Sequence, residues 1–182
     1  MKIQLAKKAG FCYGVRRAVD MVYEQAEKAE MPVYTFGPIT HNDIVVEDLK
    51  NKGVRVLDTI DEANCLTSGT VIIRAHGVSK ELNDCLCRRD EFGNMILNVM
   101  DATCPFVKKI HEIVRKQGEE RATVIFGDRS HPEVQGIIGW CTGDYYVLKE
   151  EEDVHRFCPR ADTKLAIVAQ TTYNYKKVST IC

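Results

Sequence analysis

The sequence predicts an α/β protein of parallel sheets arranged in more than one lobe, and three observations carry that reading. Short apolar runs rich in Val and Ile alternate with longer stretches whose apolar residues recur at helical spacing. Strands separated by helices pair in parallel, because each helix returns the chain across its sheet. The order strand, turn, cysteine, helix over residues 3–29 also recurs over residues 95–117, which places a boundary near 101–104 and divides the chain into lobes 1–103 and 104–182.

Residues 1–5 read as a first strand, followed by the turn Gly10-Phe11-Cys12-Tyr13-Gly14. Val15, Ala18, Val19, Val22 and Ala26 then give a helix its apolar face, with Arg16, Arg17, Asp20, Glu24 and Lys28 on the others. Pro32 to Phe36 is a strand ending in Gly37-Pro38. Thr40-His41-Asn42 leads into a helix through Val45, Val46 and Leu49, which Gly53 stops. Val54 to Leu57 is a strand and a polar connection follows. Thr70 to Arg74 is a strand running into Ala75-His76-Gly77, and Ser79 caps a helix containing Leu82 and Cys85. Met95 to Met100 is the strand that delivers Cys104. Pro105 opens a helix whose apolar face is Phe106, Val107, Ile110, Ile113 and Val114. Thr123 to Phe126 is a strand closed by Gly127-Asp128, and His131-Pro132-Glu133 begins another helix. A strand at Tyr145 to Leu148, a short helix near Glu151 to Phe157 and a strand at Lys164 to Ala169 precede Gln170-Thr171-Thr172.

With 182 residues the chain can bury a substantial core. Its 25 basic and 26 acidic residues leave a net charge of −1 without long runs of either sign, so neither a nucleic-acid nor a membrane-surface footprint is visible. No apolar run is long enough for a signal peptide or a membrane span, and the expected location is cytoplasmic. Eight cysteines in a reducing compartment argue for metal-binding, catalytic or packed thiols and against a disulfide framework. Cys85 and Cys87 point to different faces of a helix and chelate poorly. With Cys65, Cys141 and Cys158 they read as structural. His111 and His155 fall within helices and read as packing or surface residues.

The chemically capable residues collect at strand ends, which in an open α/β sheet face one crevice. In chain order they are Cys12, His41, His76, Cys104, His131 with Glu133, and Thr171 with Thr172. Cys104 falls at a helix N-cap, where the dipole favours the thiolate that binds metals; a buried cysteine beside an ordinary turn is the alternative. Thiolates and imidazoles converging on one crevice suit either a metal or an anion. Cys12 and Cys104 lie in different lobes and neither sits in a local chelating pair, which favours a cluster held between lobes over a zinc knuckle. Glu133 is the best-placed proton donor, or else an exposed acid at a helix start.

The segments Gly10-Phe11-Cys12-Tyr13-Gly14-Val15, His41-Asn42, Ala75-His76-Gly77-Val78-Ser79, Asp101-Ala102-Thr103-Cys104-Pro105, His131-Pro132-Glu133-Val134 and Gln170-Thr171-Thr172 follow one another as in the 4-hydroxy-3-methylbut-2-enyl diphosphate reductases. These enzymes close the non-mevalonate isoprenoid pathway, and the resemblance covers residues 1–173. It implies a trefoil-like architecture of three α/β lobes, about two of them present here, around a 4Fe–4S cluster. Two electrons and protons remove the hydroxyl of an allylic diphosphate, and a flavodoxin or ferredoxin supplies the electrons. Carried onto this chain, it implies Cys12, Cys104 and Cys182 as cluster ligands and His41, His76 and His131 as the diphosphate site. Glu133 would be the proton source, and Thr171 would orient the hydroxyl. The family continues into a third lobe carrying serines and an asparagine of the diphosphate cradle, whereas this sequence stops at Cys182, in a segment Ser179-Thr180-Ile181-Cys182 resembling that around the family's third cysteine. A truncated, non-catalytic α/β fragment or diphosphate-binding module is the competing expectation.

Overall fold

A computed structural model of the chain describes residues 3–4, 9–28, 30–118 and 120–174. The expected strand at residues 1–5 and the segment ending in Cys182 lie largely or wholly outside them.

The first half comprises α1 (Tyr13–Lys28), β1 (Val33–Phe36), α2 (Asp43–Asn51), β2 (Arg55–Leu57), α3 (Ile60–Asn64), β3 (Thr70–Ile73), α4 (Lys80–Leu86) and β4 (Asn98–Asp101). Its strands form one parallel sheet in the order β2-β1-β3-β4. Side chains of a strand alternate between faces, and β3 is buried on both. Ile72 meets Val22 of α1 and Leu49 of α2, while Val71 and Ile73 meet Ala63 of α3 and Leu82 of α4. The second half comprises α5 (Pro105–Gln117), β5 (Ala122–Phe126), α6 (Pro132–Trp140), β6 (Tyr145–Leu148), α7 (Glu151–Arg156) and β7 (Leu165–Ala169). Its strands form a parallel sheet ordered β6-β5-β7. Here Ile125 packs with Val114 of α5 and Ile137 of α6, and Val124 and Phe126 pack on the other face with Leu148 and Val154.

Both sheets change direction once. After β1 the chain adds β2 on one side and then crosses to the other side for β3; after β5 it adds β6 and then crosses to β7. The connections leaving β1 and β3 therefore diverge and leave a crevice between them, the place where open α/β sheets hold ligands, and in the second sheet the turns that end β5 and β7 lie side by side.

Two expectations change. The connection after Leu57 contains α3, closed by a reciprocal capping box in which Thr59 Oγ1 accepts the Glu62 N–H and the Glu62 carboxylate accepts the Thr59 N–H. Its few residues bury one alanine, so helical periodicity had little to report. The strand expected from Met95 begins only at Asn98, because Met95 bridges antiparallel to Arg89 instead of joining the sheet.

The two sheets meet where α5 and α6 pack on the turn after β3. Trp140 Nε1 donates to the Val78 carbonyl at 2.8 Å, and the buried His111 ring stacks on Trp140 with centroids 5.6 Å apart. Gly139 lies against Ser79, where an added Cβ would come within 2.8 Å of the Ser79 Cα. We expect Gly139→Ala to lower unfolding free energy by about 1–3 kcal/mol in urea titrations, despite the higher helix propensity of alanine. A stabilised variant would show that no close approach exists there.

Candidate functional site

Strand-end turns bring five of the eight site residues into one line. His41 follows β1, just before Asn42, which caps α2 by accepting the Val45 N–H at 3.2 Å. His76 follows β3, in a turn that depends on Gly77. That residue has φ +73°, and a Cβ there would lie 2.8 Å from His111 Cε1 and 3.0 Å from Thr103 Cγ2, so both conformation and space select glycine. The His76 ring stands between those of His41 and His131, at centroid distances of 5.5 and 5.3 Å. His131 caps α6, and its Nδ1 accepts the Glu133 N–H at 3.1 Å. In the neutral ring that bond leaves the proton on Nε2, free to donate elsewhere.

Glu133 is 2 % exposed. Thr171 engages both of its carboxylate oxygens, the backbone N–H donating to Oε1 at 2.6 Å and the hydroxyl to Oε2 at 2.8 Å. Buried carboxylates persist only with such partners. Gln170 fixes the loop that carries Thr171: its Oε1 accepts the Asp128 N–H at 3.2 Å and its Nε2 donates to Thr172 Oγ1 at 2.8 Å. The turns after β5 and β7 are thereby joined.

The two described cysteines of the set lie at helix starts. Cys12 is exposed and immediately precedes α1; Cys104 is half-buried and caps α5; both thiols are free. The Cys104 N–H donates to the Ala75 carbonyl at 2.9 Å, which ties it to the His76 turn. Gly14, in the first turn of α1, lies against the same thiol: an added Cβ would sit 3.0 Å from Cys104 Sγ. Arg17 holds α1 in place by donating to the Asp101 and Thr103 carbonyls at 3.2 Å each. Cys182 lies outside the described residues, and among those residues no group of three or more His, Cys, Asp or Glu side chains is arranged to hold a metal ion. Cys85 donates to Asn64 Oδ1 at 2.9 Å, and Cys141 to the Ile137 carbonyl at 3.5 Å, with burial pushing the Cys141 thiol up.

Burial pushes the pKa of His76 down to about 4, helped by the positive charges of Arg74, His131 and His41. Burial does the same to His111, also to about 4. At neutral pH both rings are uncharged, so His76 is not a cation there, and its buried Nδ1 has no hydrogen-bond partner. Arg17 and Arg74 lie at the site although the sequence pattern marks neither. Arg17 looked like the polar face of a helix, and only the turn at residues 101–104 folding beneath it reveals its role.

Fold and site together define a class: a parallel α/β protein whose strand-end turns carry imidazoles, a buried carboxylate–threonine pair and two cysteines at helix N-termini. The chain belongs to the LytB protein family, whose model matches residues 3–182. It is 43 % identical over 175 residues to the 4-hydroxy-3-methylbut-2-enyl diphosphate reductase of Thermoanaerobacter sp. (strain X514), covering 94 % of this chain and 58 % of that protein. The reductase of Geobacter sulfurreducens is 44 % identical over 183 residues, covering 100 % of this chain and 60 % of its own length. The fold is similar to the solved E-1-hydroxy-2-methyl-but-2-enyl-4-diphosphate reductase of Plasmodium falciparum, with a TM-score of 0.81 and 29 % identity over 96 % of this chain and 53 % of that one. A second solved (E)-4-hydroxy-3-methyl-but-2-enyl diphosphate reductase matches with a TM-score of 0.76 and 36 % identity, covering 98 % and 61 %. The chain thus spans about three fifths of the length of the curated relatives it matches. No helix among the described residues is long and apolar enough to cross a membrane.

The histidines set a pH dependence. Their folded pKa values, about 4, lie below the ordinary value of 6.5, so the unfolded chain takes up protons first as the pH falls. Their stabilising effect is whole above pH 6.5 and is lost between there and about pH 4. We expect unfolding free energy to fall by up to about 3 kcal/mol for each histidine across that window. NMR titration should place both imidazole midpoints near the lower limit, and midpoints near the ordinary histidine value would refute the burial argument.

Proposed function

We propose that this chain carries the reaction centre of a 4-hydroxy-3-methylbut-2-enyl diphosphate reductase. In this reading the hydroxyl of (E)-4-hydroxy-3-methylbut-2-enyl diphosphate leaves as water, giving isopentenyl and dimethylallyl diphosphate, the last step of the non-mevalonate isoprenoid pathway. The observation that carries it is the line from His41 to Thr171: hydrogen-bonding imidazoles at one end and a buried, doubly held carboxylate at the other, within one crevice. An anionic head and a hydroxyl several atoms away are the two features such a line can grip.

In this reading His41, His76 and His131 bind the diphosphate, with His131 presenting its Nε2–H. Thr171 positions the hydroxyl, and Glu133 holds the proton that converts it into a better leaving group, then serves as proton source for the allylic carbon. Removal of the hydroxyl consumes two electrons and two protons, one proton leaving in water and one ending on carbon. Cys12 and Cys104 fit a soft-metal group as free thiols at two helix N-termini that meet at Gly14. With Cys182 they would hold a 4Fe–4S cluster, which when bound supplies electrons and an open iron as Lewis acid. A flavodoxin or ferredoxin of the cytoplasm would be the electron donor.

The test is anaerobic reconstitution with iron and sulfide, reading visible absorption, iron content and reduction of the allylic diphosphate. Cys104→Ser should abolish cluster absorption. Glu133→Gln should keep iron and diphosphate binding while lowering reduction about 100-fold or more, as for loss of a general acid. A cluster equally stable without the Cys104 thiol would sink the proposal. Diphosphate binding without any cluster would favour a non-catalytic binding module instead.

A further inference from the structure

A diphosphate carries several negative charges, yet His76, the central imidazole of the line, is uncharged at neutral pH. Most nearby cations are already committed: Arg17 to backbone carbonyls, Lys108 to Asp101 at 2.6 Å and Lys149 to Asp128 at 2.8 Å. Arg74 is different. It is the first residue after β3, at the β1/β3 switch point and two residues before His76. Its half-buried guanidinium lies over Gly37 at the end of β1, where an added Cβ would come within 2.8 Å of Arg74 Cζ, so glycine makes the room it occupies. Its side chain forms no hydrogen bond or salt bridge among the described residues, its Nε is buried without a partner, and Asp58 acts on it only through the longer-range field.

Taking a guanidinium partly out of water without a counter-charge is unfavourable unless something else compensates, and an anion in the adjoining crevice would. We propose that Arg74 supplies the fixed positive charge of the anion site and biases it towards multiply charged phosphate esters. It acts on the ligand through the field behind His76, as a specificity-determining residue and not as a proton carrier. The inference rests on the diphosphate reading of the crevice.

The test uses inorganic diphosphate as probe, with calorimetric titration at low and high salt and melting temperatures with and without the anion. The wild-type chain should bind diphosphate. Arg74→Gln should bind about tenfold more weakly at low salt and lose part of the salt dependence, while Arg74→Lys should stay within about threefold of wild type. Without anion, Arg74→Gln should melt no lower than wild type, because it sheds an uncompensated charge. Equal diphosphate affinity in wild type and Arg74→Gln would overturn the proposal while leaving the anion site intact. A lower melting point without anion, unrestored by lysine, would make Arg74 a structural clamp and overturn it too. A wild-type chain that takes no diphosphate would remove the anion site itself.

Discussion

The site depends on strand order. If β2 lay between β1 and β3, the turns after β1 and β3 would no longer come from neighbouring strands, and His41 and His76 would stand about two strand spacings apart, close to 10 Å. Crossing β1 instead makes them neighbours with diverging connections, and their rings lie 5.5 Å apart. The same inversion in the second sheet sets β7 beside β5, which lets Thr171 reach both oxygens of Glu133. The line is thus written twice into topology before any side chain contributes, with His76 and His131 joining the halves.

Strand order alone would leave the halves free to shift, and the turn from Arg74 to Ser79 holds them. Its Ala75 carbonyl receives the Cys104 N–H, its Val78 carbonyl receives the Trp140 indole, its Gly77 admits His111 and Thr103, and its Ser79 abuts Gly139. Each hydrogen bond contributes only about 1 kcal/mol net, but breaking one inside a packed interface leaves a desolvated group behind. The close approaches at glycine give the interface one register, since any Cβ there would force the elements apart. Geometry at His76 is consequently coupled to geometry at Cys104 and at the start of α6.

Much of this was legible in sequence because its signals are local. Val71, Ile72 and Ile73 announce a strand buried on both faces, Pro132 a helix start, and Gly77 a turn. The capable residues stand at strand ends in the linear chain, so that much of the crevice could be read directly. What could not be read is pairing: nothing near His41 states that β3 and not β2 will carry its neighbour. Arg17 and Arg74 were opaque for the same reason. The carbonyls at Asp101 and Thr103 that hold Arg17, and the Gly37 backbone over which the unpartnered Arg74 lies, are far away in sequence and carry no side-chain code. The α3 segment escaped for the opposite reason, being too short for periodicity and marked only by Thr59 and Glu62.

Two unmet polar atoms at the β1/β3 switch point support the proposed reading of the crevice as a ligand site. A folded interior tolerates few buried polar groups without partners, and of the four among the described residues His111 Nε2 and Thr123 Oγ1 lie elsewhere, while Arg74 Nε and His76 Nδ1 share the turn after β3. Glu133, more deeply buried than either, is fully engaged by Thr171. The two ends of the line therefore differ in kind. The carboxylate end is satisfied within the protein and keeps its geometry without a ligand, whereas the imidazole end holds unused hydrogen-bonding capacity beside an uncompensated cation. If the crevice takes an anion as proposed, binding free energy should arise mainly at the imidazole end, where the anion gains partners the protein does not supply to itself. On the proposed function, the carboxylate end would contribute orientation and a proton, at little cost in reorganisation.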